Sequence, residues 1–111
     1  MSKKQEKIKR KLVKIYNEIA LERSFSCSGC GMSGHSVPLS HSHIIPRSRR
    51  SDLTLEKKNI QYHCLSIGER IGCHTIWESK NRFKLLDYFI NLAYIKEVDE
   101  EYYYIITELN D

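Results

Sequence analysis

Four cysteines, spaced Cys27-x2-Cys30 and Cys64-x8-Cys73, constrain this chain more than any other feature. A cysteine pair two residues apart in a glycine-containing turn can bring two thiolates onto one tetrahedral ion at about 2.3 Å each. The second pair, at a strand end and a helix start, could close the same site. Four sulfurs leave no open coordination position, so such a site is structural and contributes folding energy. It would tie the Ser-, Gly- and Cys-rich stretch 24–34 to the base of the later helices. His63 and His74 each flank a cysteine and could replace one. The plain alternative is four buried thiols.

A chain of 111 residues is long enough for one core with little excess stability. Its lysine-rich start is followed by no apolar stretch, and no run is long enough to span a bilayer, so a cytoplasmic location is expected. In a reducing compartment clustered cysteines are more often metal ligands than disulfides, which favours Zn²⁺. The net charge of +4 is unevenly spread. Lys3, Lys4, Lys7, Lys9, Arg10, Lys11 and Lys14 stand against Glu6 near one end, whereas residues 96–111 carry Glu97, Asp99, Glu100, Glu101, Glu108 and Asp111 against Lys96. A polyanion met by one face fits this asymmetry, and a solvated helix face is the bland reading.

Apolar residues Ile8, Leu12, Ile15, Tyr16 and Ile19 fall at helical spacing, predicting an amphipathic helix over 2–23. Residues 37–45 read as a strand stopped by Pro46, and 59–65 as a second, short strand. A helix from Cys73 is predicted to present Trp77, Phe83, Leu86, Phe89, Ile90 and Ala93 as its apolar face. Asp99 ahead of Glu100 and Glu101 signals a last helix ending near Leu109. The expected organisation is one domain: a basic helix (1–23), a zinc-supported core (24–82) and C-terminal helices (83–111).

Within that core, Cys27-Ser28-Gly29-Cys30, Ser42-His43-Ile44-Ile45-Pro46, Asn59 and Cys73-His74 with Glu78 follow one another in order. This series resembles the HNH endonucleases, a group built around a ββα-metal finger, over Cys27–Glu78. The resemblance implies an α+β fold with structural zinc. It also implies His43 as general base, Asn59 as the residue orienting the loop of His43, and His74 with Glu78 as ligands of a catalytic Mg²⁺, Mn²⁺ or similar ion. The chemistry asks for such parts independently. A neutral imidazole can take a proton from water, and a cation can neutralise charge on phosphate oxygens. Many members carry Asp or His immediately before the base. Here Ser42 stands there, a poor ligand, and His41 could reach a metal only from a distorted strand.

Arg47, Arg49, Arg50, Lys57 and Lys58 crowd the segment after the base and would hold phosphates of double-stranded DNA. No array of base-reading side chains is visible, so binding should be sequence-independent. The function expected is metal-dependent hydrolysis of DNA phosphodiesters. The alternative is a non-catalytic zinc-stabilised module that binds DNA or protein. A homodimer, or a larger phage or genome-defence assembly, is compatible with so small a chain.

Overall fold

Ser2 opens the first helix with a reciprocal cap. Its Oγ accepts from the Gln5 N–H, and Gln5 Oε1 accepts from the Ser2 N–H, each at 3.1 Å. In the computed structural model, which describes residues 2–108, this helix (α1) spans Lys3–Glu22. Its lysines face solvent while Leu12 and Ile19 are buried. At Arg23 the backbone turns extended, and the guanidinium donates to the carbonyls of Ile60 and Lys57. That clamp fixes the end of α1 against the sheet.

The sheet is a two-stranded antiparallel hairpin, β1 (Leu39–His43) and β2 (Ile60–Cys64), with Leu39 opposite Cys64 and His43 opposite Ile60. β1 is two residues shorter at each end than the pattern predicted. Pro38 has no N–H to give the ladder. At the other end the Ile45 N–H is taken by the Asn59 side chain instead of by a strand.

The single helix expected after Cys73 is three pieces: α2 (Cys73–Trp77), a 3₁₀ turn (Lys80–Lys84) and α3 (Tyr88–Val98). Ser79 makes the break, donating to the Ile76 carbonyl at 2.8 Å and accepting from the Asn81 N–H at 3.1 Å. The break resets the helical phase. Trp77 remains buried, but Tyr88, Asn91, Leu92 and Ile95 point inward while Phe83, Leu86, Phe89, Ile90 and Ala93 are exposed. The predicted apolar face beyond Trp77 was therefore the outer one. α4 spans Glu100–Glu108 and begins where expected, with Asp99 Oδ1 accepting from the Tyr102 N–H at 3.2 Å. Its expected end near Leu109 lies outside the described residues.

The fold is thus a small α+β arrangement with two apolar clusters. Leu12, Ile19, Ile60 and Tyr62 form one between α1 and the hairpin. The larger joins three of the cysteines to Ile44, Ile45, Trp77 and the inner residues of α3 and α4. No described helix is long and apolar enough to cross a membrane.

Candidate functional site

The four cysteine sulfurs lie within 4.8 Å of one another, and all four thiols are free of disulfides. Cys30 Sγ and Cys64 Sγ are 3.9 Å apart. Bonds of about 2.3 Å to a tetrahedral centre set sulfurs about 3.8 Å apart, so the cluster fits one zinc ion. The chain builds the cluster by close approach. A Cβ on Gly29 would stand 2.9 Å from Cys73 Cβ and Sγ, and one on Gly72 would stand 2.4 Å from the Cys64 carbonyl oxygen. Backbone bonds seal the turn to its surroundings: Ser28 N–H to the Tyr62 carbonyl and Leu86 N–H to the Gly29 carbonyl, both 2.9 Å.

Several donors point at the sulfurs. The Cys64 N–H reaches Cys27 Sγ and the Cys73 N–H reaches Cys64 Sγ, both at 3.3 Å. Arg70 Nη1 lies 3.4 Å from Cys64 Sγ, and its Nη2 lies 3.7 Å from Cys30 Sγ. Burial works against ionising Cys64, yet the Cys73 N–H and Arg70 outweigh it and bring its pKa to about 6. Burial pushes the Cys27 and Cys73 thiols upward. Nothing in the spacing pattern singled out Arg70; it belongs to the set because the 67–70 turn folds back over the cluster.

A second arrangement surrounds His43 at the end of β1. Its Nε2 is 2.9 Å from the Thr54 carbonyl oxygen, so that nitrogen donates and Nδ1 is left as the proton acceptor. Burial lowers the imidazole pKa below its ordinary 6.5; the Thr54 carbonyl opposes this and the Arg47 charge adds to it. The ring is therefore neutral at physiological pH. The segment that follows is held from two sides. Fully buried Asn59 accepts from the Ile45 N–H at 2.8 Å and donates to the carbonyls of Ile45 at 3.0 Å and Leu53 at 3.2 Å. The Trp77 indole N–H donates to the Ile44 carbonyl at 3.0 Å.

His43 and Glu78 line one cleft of about 340 Å³, together with Ser48, Trp77, Arg82 and Tyr102. His74 stands beside Glu78 rather than on the cleft wall, its Nε2 3.9 Å from Glu78 Oε1. Its other ring nitrogen is buried with no hydrogen-bond partner. Glu78 is not inside a longer helix, as expected, but caps the C-terminal end of α2. Ligands at 2.0–2.1 Å from an octahedral ion are about 3.0 Å apart when adjacent and about 4.2 Å when opposite, and the 3.9 Å between His74 and Glu78 is neither. To hold one octahedral ion as adjacent ligands, the two side chains would have to close by about 1 Å, with the other positions left to water or substrate.

Among the described residues, His41 does not join His74 and Glu78 in a close group of metal-ligating side chains. His41 stacks on Tyr16 of α1 with ring centroids 3.7 Å apart. Ser42 is buried opposite Gln61, whose amide bonds Asn91 of α3. His63, which from the sequence could have replaced a cysteine, is a core residue. Its Nε2 is 2.8 Å from Asp87 Oδ2, which also accepts from Asn91 Nδ2 at 3.0 Å. His35 is exposed in its loop.

Of the five basic residues between 47 and 58, three are tied to carboxylates of the protein. Arg49 makes two bonds to Asp99, at 3.0 and 3.1 Å. Arg50 bonds both oxygens of Asp52, at 2.8 and 2.7 Å, and also the Val98 carbonyl. Lys57 reaches Glu22 at 2.7 Å and Glu18 at 3.4 Å. Arg47 and Lys58 are exposed and form no ion pair among the described residues. Arg47 also borders a cavity of about 500 Å³ whose far wall carries Lys4 and Ile8 of α1. Arg82, absent from the sequence expectation, enters the His43 cleft with Nε held on the Trp77 carbonyl at 2.9 Å. Comparisons with protein-family models, curated proteins and solved structures give no match to this chain.

Proposed function

We propose that this chain is a metal-dependent DNA endonuclease of the HNH type, with β1, β2 and α2 acting as a ββα-metal finger stapled by zinc. The observation that carries the reading is His43: a neutral imidazole, oriented by Thr54 and by the Asn59-held loop, facing a cleft it shares with Glu78. Such a group is suited to take a proton from water at its free Nδ1. A divalent ion held by His74 and Glu78 would supply positive charge to phosphate oxygens and to the departing 3′-oxygen. Arg82 projects cationic charge into the same cleft and can hold a non-bridging phosphate oxygen beside the scissile bond. Arg47, Lys4 and the exposed lysines of α1 offer a continuing path for the duplex backbone. Cleavage in this way leaves a 5′-phosphate and a 3′-hydroxyl.

The test is plasmid nicking with Mg²⁺ or Mn²⁺. His43→Ala is expected to lower the rate by about 10²–10⁴-fold, the usual worth of a general base, while the chain stays folded. Equal slow nicking by wild type and variant would remove His43 from the chemistry.

Buried Ser42, where an acidic or imidazole ligand would complete the metal set, favours a second reading: a zinc-stabilised module that binds DNA or protein without cutting. Calorimetry separates the two. Duplex binding with no Mg²⁺ or Mn²⁺ site, with or without DNA, supports the module. Saturable metal binding lost in His74→Ala supports the nuclease.

A further inference from the structure

Arg47 stands between two hollows. Pro46 and Ser48, on either side of it, line the His43 cleft, whereas Arg47 itself borders the cavity of about 500 Å³ against α1. Thr54, whose carbonyl holds the His43 imidazole, lines that cavity too. Its volume is that of a small-molecule site. Its floor is apolar: Ile8 and Leu55 are partly buried and pack against the cluster of Leu12, Ile19, Ile60 and Tyr62. Its charge is positive. Lys4 and Arg47 border it, and Lys9 lines an adjoining hollow of about 240 Å³ that shares Ile8 and Arg47. All three cations are exposed, and none forms an ion pair among the described residues. The carboxylate on the wall, Asp52, has both oxygens on Arg50.

We propose that this cavity receives one unpaired nucleotide of a DNA strand, with its base on Ile8 and Leu55 and its phosphate between Arg47 and Lys4. A fully paired duplex offers phosphates, sugars and groove edges, because its base faces are stacked on one another. Such a ligand would satisfy the cations and leave the apolar floor unused. An acidic peptide would do the same. An unpaired base has two flat faces to bury and carries its phosphate on the same residue, which matches both halves of the cavity. Only residues 46–48 separate the cavity from the His43 cleft, so one strand can serve both. The substrate class is then DNA with an unpaired nucleotide close to the scissile bond, as in a bulge, flap or branch. This inference rests on the DNA-cleaving reading above, yet it is read by binding alone, so the two can fail separately.

Fluorescence anisotropy with the zinc-loaded full chain, without Mg²⁺ or Mn²⁺, tests it on three labelled probes. These are a paired duplex, the same duplex with one bulged nucleotide, and that bulge made abasic. The bulged probe is expected to bind about tenfold more tightly than either of the others, the worth of burying one apolar group of moderate size. Ile8→Asn should erase the preference. Ser51→Trp, a change at an exposed position on the cavity wall, should erase it too and serves where Ile8→Asn folds poorly. Arg47→Ala should weaken the bulged and abasic probes alike, since both carry the phosphate, and flatten their salt dependence. Equal affinity for all three probes overturns the proposal, as does a preference that survives both cavity variants. Tighter binding of free dAMP or of an oligoglutamate peptide than of the bulged probe also overturns it. A chain that nicks DNA without this preference keeps the nuclease reading and loses the cavity; a chain that shows the preference and never nicks does the reverse.

Discussion

Asn59 uses both ends of its amide on the segment after His43, and the two ends cannot be replaced together by one simple substitution. Alanine leaves the Ile45 N–H and carbonyl without these partners at a residue that is fully buried. At about 1–3 kcal/mol for each of the two unsatisfied groups, Asn59→Ala should cost roughly 2–6 kcal/mol in denaturant unfolding, besides slowing nicking. His43→Ala should slow nicking and, by leaving the Thr54 carbonyl without this partner, cost less stability than Asn59→Ala. Aspartate at 59 keeps the acceptor for the Ile45 N–H but turns a carboxylate toward two carbonyls, so it should not rescue stability. An unchanged midpoint for both variants would show that Asn59 does not hold the loop. Two imidazoles give a separate prediction. Burial lowers His41, with the charge on His43 adding to the effect, and burial also lowers His43. Their folded values thus lie below the ordinary 6.5, and the unfolded chain binds more protons in between. The resulting stability is complete above pH 6.5 and falls as pH drops through that value. His41→Phe retains an aromatic ring against Tyr16 and removes one titration, so its melting temperature should fall less steeply below pH 6.5 than that of wild type. Parallel curves would refute this. The cysteine cluster was legible in its spacing, and the order of the motifs brought His43, the Asn59-held loop and Glu78 to one place. Arg82, Arg70 and Asp87 were not legible, since nothing local distinguishes them from surface charges until the chain is folded.

Between the hairpin and α2, a two-residue turn decides how exposed the cysteine cluster is. Ile67 and Arg70 exchange backbone bonds at 3.0 and 2.9 Å around Gly68, whose φ of +57° suits a residue without Cβ. The turn lays Arg70 over Cys30, the half-buried member of the four, and over Cys64. A zinc ion with four thiolates carries net negative charge, and a guanidinium beside two of the sulfurs offsets it and weakens them as nucleophiles. Arg70→Ala should therefore speed zinc transfer to a chromogenic chelator, by about 10–100-fold if it behaves like other residues that support metal ligands. Arg70→Lys should fall between, because a point charge cannot serve both sulfurs. Identical transfer rates in all three would leave Arg70 without this role. At this scale the strands and α1 were readable from periodicity, although β1 is trimmed by Pro38 and by the Asn59 side chain. The region after Cys73 was misread for a physical reason. A helix apolar on both faces carries no phase information, and the break at Ser79 shifts the register without any proline or glycine to announce it.

Two apolar clusters lie on either side of a hairpin that has only two strands, and a two-stranded sheet is marginal by itself in water. The cysteines join the turn at Cys27 and Cys30, the end of β2 and the start of α2 at one point, next to the larger cluster. A domain of this size is stable by about 5–15 kcal/mol in total, while structural zinc supplies about 10–16 kcal/mol in zinc-finger peptides. The second figure matches or exceeds the first, so removing the ion should unfold the molecule rather than loosen one loop. Chelation at neutral pH is expected to abolish the near-UV signal of buried Trp77 and most far-UV ellipticity together, with recovery on adding zinc but not Mg²⁺. Cys27→Ser and Cys73→Ser should reproduce this loss, because each removes a sulfur that no neighbouring histidine is placed to replace: His63 is engaged with Asp87, and His74 turns toward Glu78. If chelator leaves the melting curve untouched, the thiols serve as ordinary core residues. The hairpin must then be held by the Arg23 clamp, the Asn59 bonds and apolar packing alone.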